Sequence, residues 1–234
     1  MAKPLILKKS AKAAKVFYRK ISGLLPKGKY KPSKYWRKRH NKYGFDLRGV
    51  GNCTLSHEEN AKVYESGKRV FYQLCEKQGI DFSTAHTLEI GCGTGFFTKA
   101  FLENGGKDYL GIDITSVPLE QLRKEYSNFS FRKQDITKEQ LKDKYDLIIM
   151  IDVTQHIVEN GAFAFAMENV SSHLKPGGAF IVTSWLTDDL VQRTYYEVSR
   201  PLSYYESYFP DFEFSDPIPF RDKYIFTIRN QKDQ

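Results

Sequence analysis

Residues 88–98, with the sequence LEIGCGTGFFT, constrain the fold more than any other part of this chain. A short run of β-forming residues leads into three alternate glycines, Gly91, Gly93 and Gly95, and then into a helical pattern, which predicts a strand, a tight turn and a helix. Glycines let a backbone approach a ligand without Cβ atoms in the way. The spacing differs from the G-x-G-x-x-G of dinucleotide-binding folds, so we expect another ligand, one with a cation near the Glu89 carboxylate.

Short β-rich runs alternate with helical patterns from residue 87 onward, which is typical of a parallel sheet with crossover helices. A long helical stretch from about Asp188 to Tyr208 is expected before the last two strands. The predicted strands are Thr87–Ile90, Tyr109–Ile112, Phe129–Arg132, Tyr145–Ile151, Ala179–Trp185, Phe212–Phe214 and Lys223–Arg229.

Carboxylates follow the second and third predicted strands. Asp113 closes the second strand, where a carboxylate can accept both hydroxyls of a ribose. Asp135 follows the third strand and is placed to accept from an adenine amino group. Either acid alone could merely cap a helix. The succession of Glu89, Asp113 and Asp135 after consecutive strands favours a cofactor site.

This succession resembles the class I S-adenosylmethionine-dependent methyltransferases over roughly residues 45–230. The resemblance implies an α/β, Rossmann-like fold with a seven-stranded sheet of order 3-2-1-4-5-7-6, in which the last-numbered strand is antiparallel. Helices are expected on both faces of the sheet, and in this chain a basic N-terminal extension precedes it. It implies S-adenosyl-L-methionine as cofactor and S-adenosyl-L-homocysteine as product. The cofactor-binding residues it implies are Glu89, Gly91, Gly93 and Gly95 around the methionyl part with Cys92 as small filler, Asp113 at the ribose, Asp135 at the adenine, and the adjoining Ile114, Ile136 and Ile151.

Two polar residues follow the fourth predicted strand in the run IDVTQHI, where an acceptor should meet the methyl donor. His156 is a candidate general base that takes a proton from a hydroxyl or an amine. Alternatively, it hydrogen-bonds a neighbouring loop or helps to hold the cofactor. Asp152 either orients His156 or contacts the ammonium group of the cofactor.

The predicted function is methyl transfer to an oxygen, or alternatively a nitrogen, of a small-molecule, saccharide or lipid-linked acceptor. The proline-containing signature of exocyclic-amine methylation is absent, since no proline lies between Pro118 and Pro176. One alternative is an RNA methyltransferase, for which the basic extension would contact phosphates. Another is a non-catalytic module that binds the cofactor or nucleic acid, because a binding site does not prove turnover.

The basic charge is concentrated at the N-terminus: fifteen of the 36 Lys and Arg residues, and none of the 28 acidic ones, lie in residues 1–45. An apolar stripe from Leu7 to Leu25 predicts an amphipathic helix that lies on an anionic membrane surface or packs on its own domain. The cluster 34–40, which mixes aromatic and basic residues, suits either nucleic acid or a lid over a pocket. We therefore divide the chain into a basic arm (1–32), a cap or lid segment (33–86) and a cofactor-binding core (87–230).

The three cysteines are widely spaced and form no C-x-x-C, so neither a disulfide framework nor a metal site is expected. The absence of a disulfide framework indicates a reducing, cytoplasmic location, and the protein would lie on the inner membrane surface if the basic arm binds lipid.

An aromatic-rich stretch at 195–205 lies where acceptor-binding residues are expected. Its Arg200 either binds a phosphate or carboxylate or sits in a surface ion pair.

Overall fold

An eight-stranded mixed sheet organises residues 30–231, the part of the chain that this computed structural model describes. The helix predicted between Leu7 and Leu25 lies outside the described residues. In chain order the strands are β1 (His86–Ile90), β2 (Asp108–Asp113), β3 (Ser130–Lys133), β4 (Tyr145–Met150), β5 (Leu174–Ser184), β6 (Val191–Thr194), β7 (Glu197–Ser199), β8 (Phe212–Phe214), β9 (Ile218–Phe220) and β10 (Lys223–Asn230).

Six α-helices within residues 30–231 connect or cover these strands. They are α1 (Pro32–Tyr43), α2 (His57–Lys77), α3 (Phe96–Glu103), α4 (Leu119–Glu125), α5 (Asn160–His173) and α6 (Leu202–Glu206), and two 3-10 turns occupy Leu47–Gly49 and Thr154–His156. Among the described residues, no helix combines the length and the apolarity needed to cross a bilayer.

The sheet confirms the predicted fold class, and its strand order is β3-β2-β1-β4-β5-β10-β8. β1 to β5 pair in parallel, whereas β10 runs antiparallel to β5, as expected for the last strand. The count of seven strands was wrong by one, since β8 and β9 both pair with β10, at opposite ends. Pro217, between them, has no N–H to donate to a ladder, which accounts for the interruption.

The long helix expected from about Asp188 to Tyr208 was wrong. That stretch forms a separate antiparallel hairpin, β6–β7, followed by the short α6. β-branched residues such as Val191, Thr194 and Val198 suit a strand, and Pro201 disfavours helical geometry at the residue before it.

Hydrophobic clusters on the two faces of the sheet form the core. α2 and α3 cover one face, where Phe71 and Phe101 belong to the same cluster as Leu147 of β4. α5 covers the other face, where Phe163 packs with Phe180 of β5. α2 therefore packs with the core, although it falls within the segment 33–86 that we assigned to a cap. Its start is defined by a capping box between Ser56 and Glu59.

Candidate functional site

A cleft of about 1180 Å³, counting its open mouth, lies at the carboxyl ends of β1, β2, β3 and β4. In open α/β sheets, ligands bind at this edge, next to the point where strand order reverses. The predicted donor-site residues that line the cleft are Glu89, Gly91, Cys92, Gly93, Asp113, Ile114, Asp135, Ile136 and Ile151, and the two predicted catalytic residues, Asp152 and His156, line it as well. Gly95 does not line it.

The glycine turn after β1 depends on backbone conformations that favour glycine. Gly91 has φ of 77°, and a Cβ atom there would lie 2.4 Å from Cγ2 of Val153. Gly95 has φ of 79° at the start of α3, and a Cβ atom there would lie 2.5 Å from Cδ2 of Leu122. Both glycines are therefore required by the turn and its packing.

Asp113 joins β2 to the glycine turn. Its Oδ2 accepts from the backbone N–H of Gly93 at 3.1 Å, and its Oδ1 accepts from that of Thr115 at 2.9 Å. Burial raises the pKa of Asp113 to about 6. Each carboxylate oxygen keeps a further lone pair, so Asp113 can still accept from a ligand hydroxyl.

Glu89 is a buried carboxylate at the floor of the cleft. Its Oε2 accepts from Thr98 Oγ1 at 3.1 Å and from the hydroxyl of Tyr109. No group within residues 30–231 donates a hydrogen bond to the other carboxylate oxygen of Glu89, Oε1. Burial raises the pKa of Glu89 to about 7, so a cation placed in the cleft beside it would stabilise the ionised form.

Asp135 caps the turn that follows β3. Its Oδ1 accepts from Thr137 N at 3.1 Å and Oγ1 at 2.6 Å, and its Oδ2 pairs with Lys138 Nζ at 2.9 Å. In the described part of the chain no helix lies between β3 and β4, so Asp135 caps a turn and not the helix of the alternative interpretation. Its contact with an adenine stays a prediction.

His156 ends the 3-10 turn that follows β4, and its Nδ1 lies 3.1 Å from the backbone oxygen of Tyr196 in the β6–β7 hairpin. A carbonyl oxygen can only accept, so Nδ1 carries the hydrogen of the neutral ring. Nε2 is then the unprotonated nitrogen. Burial lowers the pKa of His156 to about 4, so the neutral form prevails at pH 7.

Asp152 has partners other than His156. Its Oδ2 accepts from the Arg221 guanidinium, and its Oδ1 lies 2.7 Å from Lys223 Nζ. Although burial by itself would raise the pKa of Asp152, these two cations hold it well below its usual range. These contacts join the end of β4 to the start of β10, and neither is with His156. Contact of Asp152 with the ammonium group of the cofactor stays a prediction. Sequence reasoning missed Arg221 and Lys223, because neither belongs to a recognisable motif.

Helix α1 borders the cleft, which its residues Trp36 and His40 line; that residues 34–40 act as a lid stays a prediction. The Trp36 ring meets the His156 ring edge-on, with centroids 5.0 Å apart. The Tyr35 ring stacks on that of Tyr196 at 4.9 Å, which ties α1 to the β6–β7 hairpin. Four lining residues that sequence reasoning did not single out are Tyr30, Val50, Tyr64 and Val153.

Three comparisons with known proteins agree with this architecture. Residues 88–180 match a family model described as a methyltransferase domain. Malonyl-acyl-carrier-protein O-methyltransferase 2 of Ilyobacter polytropus is 30% identical over 167 residues, which cover 67% of this chain and 60% of that protein. The ubiquinone biosynthesis O-methyltransferase of a Bradyrhizobium species is 27% identical over 101 residues, 42% of this chain and 38% of that protein.

Solved structures share the fold at low sequence identity. The 1,6-didemethyltoxoflavin-N1-methyltransferase of Burkholderia thailandensis has a TM-score of 0.61 at 16% identity, over 89% of this chain and 94% of that one. An S-adenosylmethionine-dependent methyltransferase of Clostridium acetobutylicum has a TM-score of 0.60 at 16% identity, over 82% and 99%. With the glycine turn and the acids at the strand ends, these matches show that the chain belongs to the class I S-adenosylmethionine-dependent methyltransferase family.

Proposed function

We propose that this protein transfers a methyl group from S-adenosylmethionine to an oxygen atom of a small-molecule acceptor. The observation that carries the proposal is the polarity of the cleft. Two buried carboxylates, Glu89 and Asp113, lie beside the glycine turn, and a neutral histidine with an unprotonated Nε2 lies beyond β4. A cationic methyl donor would need the carboxylates at the glycine turn, which we call the donor end of the cleft. An acceptor that releases a proton would need the unprotonated histidine nitrogen at the other end.

The residues of the donor end fit S-adenosylmethionine. Asp113 would accept from the ribose hydroxyls, and Glu89, whose Oε1 has no donor among the described residues, would face the positively charged methionyl part. Ile136, which is buried beside Asp135, would pack against the adenine. When bound, this cofactor supplies a methyl group already activated on a sulfonium.

The protein's own contribution to the reaction is alignment, exclusion of water and removal of one proton. His156 Nε2 would take the proton of the acceptor hydroxyl as its oxygen forms the bond to the methyl carbon and the carbon–sulfur bond breaks. The lid residue Trp36, 5.0 Å from the His156 ring, would keep water from this end of the cleft. Such proton removal contributes about 10² to 10⁴ in rate.

The charges near His156 favour an oxygen acceptor over an amine. A protonated amine would be held best by a free carboxylate, but that of Asp152 is engaged by Arg221 and Lys223. Glu159, which also lines the cleft, is exposed at the start of α5. The names of the two sequence relatives, both O-methyltransferases, support the same choice. The chain spans 60% of the length of the first relative, so we do not carry that protein's acceptor over to this chain. We propose only the class of acceptor: a small molecule, which includes a saccharide or a lipid-linked molecule.

Asp113→Ala should weaken binding of S-adenosylmethionine and S-adenosylhomocysteine by about 1 to 3 kcal/mol, because the ribose hydroxyls lose their acceptor. Isothermal titration calorimetry measures the effect. Asp108→Ala is the matched control, since Asp108 is exposed at the opposite end of β2 and should leave affinity unchanged. Equal affinities of Asp113→Ala and the wild type would remove Asp113 from the site. No heat with the methyl donor, or a preference for NAD, would overturn the cofactor assignment.

Turnover is tested by incubating the protein with radiolabelled methyl donor and fractionated cell extract. Label in a small-molecule, glycan or lipid fraction would support the proposal. Label in RNA, together with RNA binding that weakens steeply with salt, would replace it by the RNA methyltransferase alternative. Donor binding without label in any fraction would indicate a non-catalytic module.

We also propose that residues 1–25 contact an anionic membrane peripherally, with the outward face of α1 adding positive charge. That face exposes Lys34, Arg37, Lys38 and Lys42 and carries no acid. Basic residues near anionic lipid contribute about 1 kcal/mol each. Such contact would place the protein on the inner surface of the cytoplasmic membrane.

Deleting residues 1–29, which keeps Tyr30 in the cleft, should leave the melting temperature and donor affinity nearly unchanged and reduce binding to phosphatidylserine-containing vesicles. The reason is that the deleted residues precede every described helix and strand. Sedimentation with these vesicles measures it, and phosphatidylcholine vesicles are the control. Unchanged sedimentation, or a loss of RNA binding instead, would contradict the membrane proposal.

A further inference from the structure

Arg200 is a buried cation without an acidic partner. It follows β7, and only 1% of its surface is exposed. No carboxylate of the described chain forms an ion pair with it, in contrast to Arg221, which pairs with Asp152. It therefore neither grips a ligand anion in the cleft nor sits in a surface ion pair, the two roles that its sequence context suggested. A buried guanidinium is costly unless its hydrogen bonds are satisfied, so its partners indicate its use.

The guanidinium of Arg200 holds both ends of the turn that carries His156. Nη1 donates to the backbone oxygen of Thr154 at 3.2 Å, and Nη2 donates to that of Ile157 at 2.5 Å. The ring of Phe163 lies against the guanidinium, with Cζ 4.0 Å from the ring centroid, and stabilises its charge. One side chain thus holds the carbonyl groups on either side of His156.

The same part of the chain also orients the ring of His156. Tyr196, in the turn of the β6–β7 hairpin, accepts from His156 Nδ1 and stacks on its ring, with planes 8° apart. Arg200 leaves the end of that hairpin and forms an isolated parallel bridge with Leu186. The hairpin therefore positions both the backbone and the ring of His156.

We propose that Arg200 is a positioning residue that holds the Thr154–His156 turn so that Nε2 of His156 faces the acceptor. The inference rests on the proposed methyl transfer, in which His156 takes the proton. Arginine suits this task because its planar fork reaches two carbonyl oxygens at once, whereas the ammonium of a lysine is a single point of charge. A misplacement of about 1 Å at a reacting group can lower a rate by about 10²-fold.

The test compares Arg200→Met and Arg200→Lys with the control Arg229→Met. Arg229 also donates to two backbone oxygens, those of Gly177 and Gln78, but it lies outside the cleft lining. With rates normalised to folded protein, we expect kcat to fall by about 10- to 100-fold in Arg200→Met, less in Arg200→Lys, and not in Arg229→Met. Donor affinity should be unchanged in all three.

A second readout is independent of turnover. Nitrogen-15 histidine NMR, assigned with a His156→Gln variant, should show one Nδ1–H tautomer for His156 in the wild type and in Arg229→Met. In Arg200→Met we expect a shifted or averaged signal as the ring loses its contact with Tyr196. If Arg200→Met does not fold, Arg200→Lys decides the question by the same two readouts.

Wild-type kcat together with an unchanged His156 signal in the Arg200 variants would overturn the proposal. An equal loss of kcat in Arg229→Met would also overturn it, because the effect would then be general destabilisation. Failure of the proposed function can be told apart from failure of this inference. If the proposed function is wrong, the wild type transfers no methyl group to any fraction. The NMR comparison would still report whether Arg200 positions His156.

Discussion

His156→Ala should lower kcat for methyl transfer by about two to four orders of magnitude while leaving donor affinity nearly unchanged. The reason is that Nδ1 is occupied by the Tyr196 carbonyl oxygen, which leaves Nε2 to take the proton of the acceptor. Steady-state kinetics and calorimetry measure the two quantities. Near-wild-type turnover, or a loss of donor binding as severe as in Asp113→Ala, would assign His156 to a structural or cofactor-binding role.

The pH profile distinguishes proton removal from alignment. A histidine base works only when it is neutral, so the rate should fall as the pH drops through its pKa. The sequence alone predicts this fall near the ordinary pKa of an imidazole, but burial lowers the pKa of His156 to about 4. At saturating donor, whose cation holds Glu89 in its ionised form, the wild-type kcat should therefore stay level between pH 7 and about 5 and decline only near pH 4. A profile that declines near pH 6.5 would contradict the burial of this ring.

Asp152→Asn should destabilise the fold by about 3 to 5 kcal/mol, because it removes the buried carboxylate that both Arg221 and Lys223 contact and leaves Arg221 without its ion pair. The side chains of Arg221 and Lys223 are 9% and 7% exposed, so water cannot replace the carboxylate. Asp152 itself has φ of 61°, a left-handed conformation that is rare outside glycine and that this ion-paired cluster helps to hold. Urea unfolding measures the free energy of unfolding of the variant and the wild type.

The matched control is Asp222→Asn. Asp222 also lies near Lys223, at 3.6 Å, but its side chain is 64% exposed. Exposed ion pairs contribute about 0 to 1 kcal/mol, so the control should unfold nearly as the wild type does. Equal stabilities of the two variants would show that the Asp152 cluster is hydrated in solution and does not stabilise the end of β4.

The sequence by itself determined the fold class and the donor end of the cleft. The glycine turn and the acids after β2 and β3 are local patterns, so their positions follow from strand ends that can be read along the chain. Parallel strands bring their carboxyl ends to one edge of the sheet, which is why Glu89 and Asp113 line one cleft with Asp135. Their contacts with the cofactor remain predictions.

Only the tertiary structure decided the partners of the other polar residues. Asp152 pairs with Lys223, 71 positions away, and His156 contacts Tyr196, 40 positions away. Residues 188–208, expected to form one helix, form the β6–β7 hairpin that holds His156 and the short α6. Packing of the hairpin against the Thr154–His156 turn and α1 supports the strand preference of its β-branched residues. Contacts between residues so distant in the chain depend on how the last strands fold back onto the sheet, and no local pattern specifies them.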